Sequence, residues 1–188
     1  MSRLAFGLIL WVALGLELGL RPALALGPTG IAPSIVIPLV VFVAMHAPGM
    51  AAAWAAVAAG LLLDLTFPIG LEGGGEVRVP GPMAIGLLLA AAATTSIRGM
   101  LIKHNPLTVA AVSVVAALIA WLTAWALLGV RGLYGDPISF SAGPEFGRRI
   151  LSSLYTGVVG GIEALVLFPI AGVFGFQSSA GPRRMVPR

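Results

Sequence analysis

The chain has no cysteine, which excludes disulfides and thiolate-held metals. Charge is scarce as well. Asp, Glu, Lys and Arg make up 10% of its 188 residues, against about 25% in an average soluble domain. His46 and His104 are the only histidines, and neither has a second ligand type beside it in the sequence. A metal site needs clustered ligands and is not expected. The glycines do not form a phosphate loop, because the Lys and Ser/Thr that must follow them are missing. No Gly-x-Ser-x-Gly elbow and no His-Glu-x-x-His pair occurs. Nothing in the sequence points to an enzyme or to a cofactor.

Apolar residues account for 59% of the chain. A soluble domain of this length cannot hide that much apolar surface, so the class is an integral membrane protein in one domain. The formal charge is +4, but this does not indicate nucleic-acid binding. The basic residues stand singly or in pairs at the ends of apolar runs, where membrane proteins place them.

Six apolar runs are expected to be helical: residues 4–20, 31–45, 50–67, 83–97, 107–130 and 150–176. The first could be a signal peptide, but Glu17 inside it and Arg21 after it argue for a retained helix. The second carries Pro33 and Pro38. A proline near a helix start is tolerated, whereas Pro38 should kink the helix. Spanning takes about 20 residues, so the second and fourth runs are short. Residues 68–82 and 131–147 form polar loops, and residues 177–188 are expected to be a basic tail after a transmembrane domain at 1–176. Six spans put both termini on one side. Lys and Arg number six on that side against five on the other, which assigns the termini to the cytoplasm.

Glu17, Asp64 and Glu163 lie inside apolar runs. A carboxylate at a helix centre costs roughly 2.5–3.5 kcal/mol on insertion scales and less near an interface. Glu163 is central and makes the strongest demand for a partner. Asp64 follows Ala52, Ala56 and Gly60 at four-residue steps, which puts a small-residue stripe and an acid on one helix face. Ser153, Gly157 and Gly161 form a second such stripe, suited to close packing within the bundle. Glu17, Pro33, Gly60, Asp64, Gly157, Gly161 and Glu163 are therefore the candidates for structural or partner-facing roles.

Four features in order carry a family resemblance: Arg21-Pro22 after the first helix, Ala32-Pro33-Ser34 opening the second, His46 at the hairpin, and Gly60-Leu61-Leu62-Leu63-Asp64-Leu65 closing the third. A short basic turn before the long fifth helix also fits. The chain resembles MreD, a membrane protein of the bacterial cell-elongation machinery. The resemblance implies an all-α polytopic fold of about six transmembrane helices, similar to the substrate-binding components of energy-coupling-factor transporters. It also implies a non-enzymatic scaffold of the bacterial inner membrane that helps control cell shape and peptidoglycan synthesis. The implied partner is MreC and, through it, MreB and the RodA–transpeptidase synthase; the small-residue helix faces, suited first to packing within the bundle, would also let a second copy of the chain pack closely. One departure is the link between residues 66 and 82, which is longer than the short glycine-containing connection expected of the family. The alternative reading is the substrate-binding membrane component of a vitamin-type transporter. Glu17, Asp64 and a glycine-rich lid would then serve a ligand at the outer face.

Overall fold

The computed structural model describes residues 2–71, 74–102, 104–132 and 142–175. The tail expected at 177–188 lies outside them. Six helices make up most of the described chain: α1 (Arg3–Leu24), α2 (Val36–His46), α3 (Gly49–Thr66), α4 (Pro82–Ile97), α5 (Pro106–Gly132) and α6 (Ala142–Ile170). A 3-10 turn (Ala171–Phe174) follows α6. Four helices are long and apolar enough to cross a membrane, and α2 and α4 are shorter apolar helices.

The shortest helix is the axis of the molecule. Ten of the eleven residues of α2 are buried, and it packs against α3, α4, α5 and α6. A helix apolar on every side belongs inside a bundle. Around it the other helices pack in sequence, α3 on α4, α4 on α5 and α5 on α6. Helix α1 lies at the edge. It presents one buried stripe of Phe6, Leu10, Ala13 and Glu17 at helical spacing. The rest of its surface faces outward, with Trp11 74% exposed.

Close approach of the helices depends on glycine at three seams. A Cβ on Gly60 would collide with the backbone of Ala84 in α4. One on Gly86 would collide with the backbone of Ala120 in α5, and one on Gly157 with the Val114 side chain of α5. Gly161 has Ala110 Cβ 3.3 Å from its Cβ position. The two stripes read from the sequence are thus internal seams, α3 on α4 and α5 on α6.

Several boundaries differ from expectation. Helix α1 continues past Arg21-Pro22 to Leu24, with the Ala25 N–H bonded to Arg21 O at 2.9 Å. Helix α2 begins five residues later than its apolar run. Residues 31–35 are non-helical and buried, and Pro38 therefore falls in the first turn of α2. An N–H there has no intrahelical partner, so the proline imposes no kink. Helix α6 begins about two turns early because Glu145, Arg148 and Arg149 pair at helical spacing. Its end tightens into the 3-10 turn just after Pro169. The loop expected at 68–82 contains a small antiparallel hairpin, β1 (Ile69–Gly70) with β2 (Glu76–Val77). Gly74 and Gly75 turn it with φ of +94° and +100°, a region that favours glycine.

The two ends of the bundle have different chemistry. At one end Phe42 packs on His46, Phe168 and Phe174, and the His46 and His104 rings lie 6.3 Å apart. The start of α1 meets the 3-10 turn after α6 there, with the Ser2 N–H donating to Phe174 O at 2.8 Å. An Arg98 guanidinium N–H also donates to Ala47 O there, tying α4 to the α2–α3 turn. The other end is polar and holds the candidate site.

Candidate functional site

The site grows from the buried start of α2. The first N–H groups of any helix lack intrahelical acceptors, and inside a membrane water cannot serve them. Glu17, the last residue of the buried stripe of α1, supplies the acceptor. Its Oε2 accepts from Ser34 Oγ at 2.9 Å, Ile35 N at 3.1 Å and Val36 N at 2.9 Å. Ser34 Oγ also accepts from Ile37 N at 3.3 Å, and the Ser34 N–H donates to Thr156 Oγ1 of α6 at 3.0 Å. A buried carboxylate is costly unless hydrogen-bonded. Here three donors and the positive end of the helix offset that cost.

Asp64, near the end of α3, does the same for α4. It accepts from Gly81 N at 2.8 Å, Met83 N at 3.0 Å and Ala84 N at 3.3 Å. Gly60, one turn earlier, lets α3 approach the backbone of Ala84 closely enough for those bonds. The stretch from Gly60 to Asp64 is therefore one device: a close seam and the carboxylate clamp that fixes its far helix.

Between the two clamps lies a cavity of ≈ 270 Å³, open on one side. Glu17, Pro33, Ser34 and Asp64 contribute to its wall, and Phe67, Ile69 and Val79 cover it from the hairpin side. Three guanidinium groups reach it, from Arg21, Arg148 and Arg149. Arg21 Cζ stands 4.0 Å over the Phe67 ring centroid, a cation–π contact. Arg148 and Arg149 share Glu145, at 3.3 Å and 2.7 Å. Arg148 also lies against Gly30, whose φ of +70° turns the chain there.

The remaining candidates sit elsewhere. Gly157 and Gly161 hold the α5–α6 seam. Glu163 is on α6, and its Oε2 is buried without a hydrogen-bond partner among the described residues. His46 and His104 come together despite their separation in sequence, but among the described residues no three His, Cys, Asp or Glu side chains are placed to hold a metal. Arg148 and Arg149 fall between the loop expected at 131–147 and the helix expected from 150, and the sequence reading missed them as site residues. The signal available was the i, i+3 and i, i+4 spacing from Glu145.

The arrangement can hold a negatively charged group or a polar partner side chain in a site walled by membrane helices. It defines a helical membrane protein with a charged cavity. Comparison with protein-family models, curated proteins and solved structures returned no match.

Proposed function

We propose that the chain is a non-enzymatic inner-membrane scaffold similar to MreD, crossing the bilayer six times with both termini in the cytoplasm. The second crossing combines α2, about 16 Å long, with the non-helical residues 31–34, which add at most about 13 Å. Together they match the roughly 30 Å hydrocarbon core. Non-helical backbone at that depth is tolerated where protein covers it, and residues 31–35 are buried. The meeting of Ser2 with Phe174 supports an even number of crossings.

The observation that carries the scaffold reading is the loose seating of α1. Between α1 and α3 runs a mostly apolar groove of ≈ 830 Å³, lined by Arg3, Phe6, Met50, Trp54, Ala55 and Ala58. Met50 and Trp54 are 74% and 69% exposed. A partner's single spanning helix fits such a groove by van der Waals packing. In this reading the partner is MreC, and MreB and the RodA–transpeptidase synthase are reached through it. The test is co-purification of MreC from native membranes. Ala58→Trp fills the groove and is expected to abolish capture while the protein still inserts. Normal capture by that variant would overturn the groove as the partner site.

A second reading, a substrate-binding component of a small-molecule transporter, is favoured by the charged cavity. Convergent polar groups in a pocket are what such a component needs. Uptake that requires the chain and an adjacent ATPase would decide for it.

A further inference from the structure

The scaffold reading leaves the cavity's arginines unused. Arg148 and Arg149 share the single carboxylate of Glu145. Arg21 has no carboxylate within ion-pair distance among the described residues. The other two acids in the wall are engaged by backbone: Glu17 by the start of α2 and Asp64 by the start of α4. Each helix N-terminus carries about half a positive charge. Three guanidiniums and two helix ends against three carboxylates leave a surplus of about one positive charge.

We propose that this cavity binds a small organic anion through its carboxylate or phosphate group. Arg21 and Arg148 are the partners of the anionic group. Both are exposed to the cavity mouth, and guanidinium suits either anion bidentately. Trp121, Leu128 and Phe67 on the wall take the apolar part. The ≈ 270 Å³ volume sets the size. At about 30 Å³ per water it holds roughly nine waters, so the ligand has on the order of ten non-hydrogen atoms. A benzoate-like acid or a small phosphate ester fits that description. An anionic phospholipid presents the same phosphate chemistry from a different source.

The inference shares its cavity with the transporter reading but not the transport step. Binding to the purified chain can fail while partner capture stands, and can succeed where no uptake occurs. The experiment uses the full chain in nanodiscs of phosphatidylcholine. Thermal unfolding is followed with benzoate, phenyl phosphate or inorganic phosphate against chloride at equal ionic strength. A parallel arm adds phosphatidylglycerol to the disc. The wild-type chain is expected to gain several degrees in a saturable way with an organic anion. Arg21→Gln and Arg148→Gln are expected to need at least tenfold more anion. Arg3→Gln, at the opposite end of the bundle, is expected to respond as wild type. Should Arg21→Gln not accumulate, Arg148→Gln alone reads the result, because its side chain is 44% exposed. Arginine-dependent stabilisation seen only with phosphatidylglycerol assigns the phosphate to lipid and supports the site. Equal responses in wild type and both arginine variants overturn it. So does a wild-type chain that ignores every probe, which would leave the cavity to a partner's acidic side chain.

Discussion

Glu17 and Asp64 play the same part in two successive helix pairs. Each carboxylate sits near the end of a long helix and holds the N-terminus of the next. Glu17 reaches donors 17, 18 and 19 residues downstream, and Asp64 reaches donors 17, 19 and 20 residues downstream. A proline lies beside each clamped start, Pro33 at α2 and Pro82 at α4. The polar end of the bundle is built by this repeated device, and the cavity is the space between its two copies.

The two clamps should differ in strength. Glu17 is 4% exposed, whereas Asp64 is only partly buried. Glu17→Leu leaves two backbone N–H groups and the Ser34 hydroxyl without their acceptor. The expected loss is about 3–5 kcal/mol, the range for removing one partner of a buried charged contact. Glu17→Gln keeps one acceptor oxygen and should lose roughly half as much. Asp64→Leu should cost about 1–2 kcal/mol, since water can reach the freed groups. Thermal unfolding of the three variants in one detergent, followed by tryptophan fluorescence, gives the order. Asp64→Leu proving the most damaging would contradict it.

The glycines give a sharper ordering, because the space around each is different. Gly60→Ala and Gly86→Ala each set a Cβ against backbone of the neighbouring helix. Backbone cannot rotate away, so the helices must part, at about 1–3 kcal/mol each. At Gly161 the nearest atom is a methyl at 3.3 Å, and Ala should be tolerated within about 1 kcal/mol. Gly15 has nothing within 4 Å, so Gly15→Ala should be neutral or slightly stabilising through helix propensity. A melting series across the four variants checks this. A Gly15→Ala loss as large as that of Gly60→Ala would place an unseen partner on α1.

How much of this was legible follows from where the information resides. Helix α3 falls within a residue of its expected bounds because Pro48-Gly49 marks its start and Pro68 follows its end. Helix α5 is equally plain, since its apolar run of 107–130 holds no charge. The start of α2 was not legible. Residues 31–35 continue the apolar run, interrupted only by Pro33 and Ser34, and the acceptor that fixes the boundary sits on α1. Glu17 and Asp64 stood out as costly acids, but their donors are backbone N–H groups, which every residue except proline shares. The cavity was hidden for a related reason. Arg21, Arg148 and Arg149 meet only when α1 and α6 are brought to the same end.

The aromatic end should depend on Arg98. Its guanidinium donates to the carbonyl of Ala47, which is itself 1% exposed. Arg98→Gln leaves that carbonyl without its charged donor, and the α2–α3 turn should open locally. The expected cost is about 1–2 kcal/mol, with faster amide exchange at Ala47 and Gly49 and no change around Ser34. Uniform loosening of the whole bundle would show that Arg98 acts globally.

Glu163 poses the opposite problem to Glu17. Both are acids on membrane-type helices, but Glu17 has three donors and Glu163 Oε2 has none among the described residues. Removing Glu17 strands other groups, whereas removing Glu163 strands nothing that the structure shows. Glu163→Leu should therefore raise stability by about 1–3 kcal/mol, the range for relieving an unsatisfied buried polar group. Glu163→Gln should move it less, because the amide is still polar and still unpaired. The checking measurement is the melting temperature of both variants beside Glu17→Leu, combined with MreC capture from native membranes. Higher stability with intact capture would make Glu163 dispensable for the scaffold. Higher stability with lost capture would mean that the buried acid is kept for a partner's donor. A fall in stability for Glu163→Leu would show that the carboxyl has a partner beyond those found among the described residues.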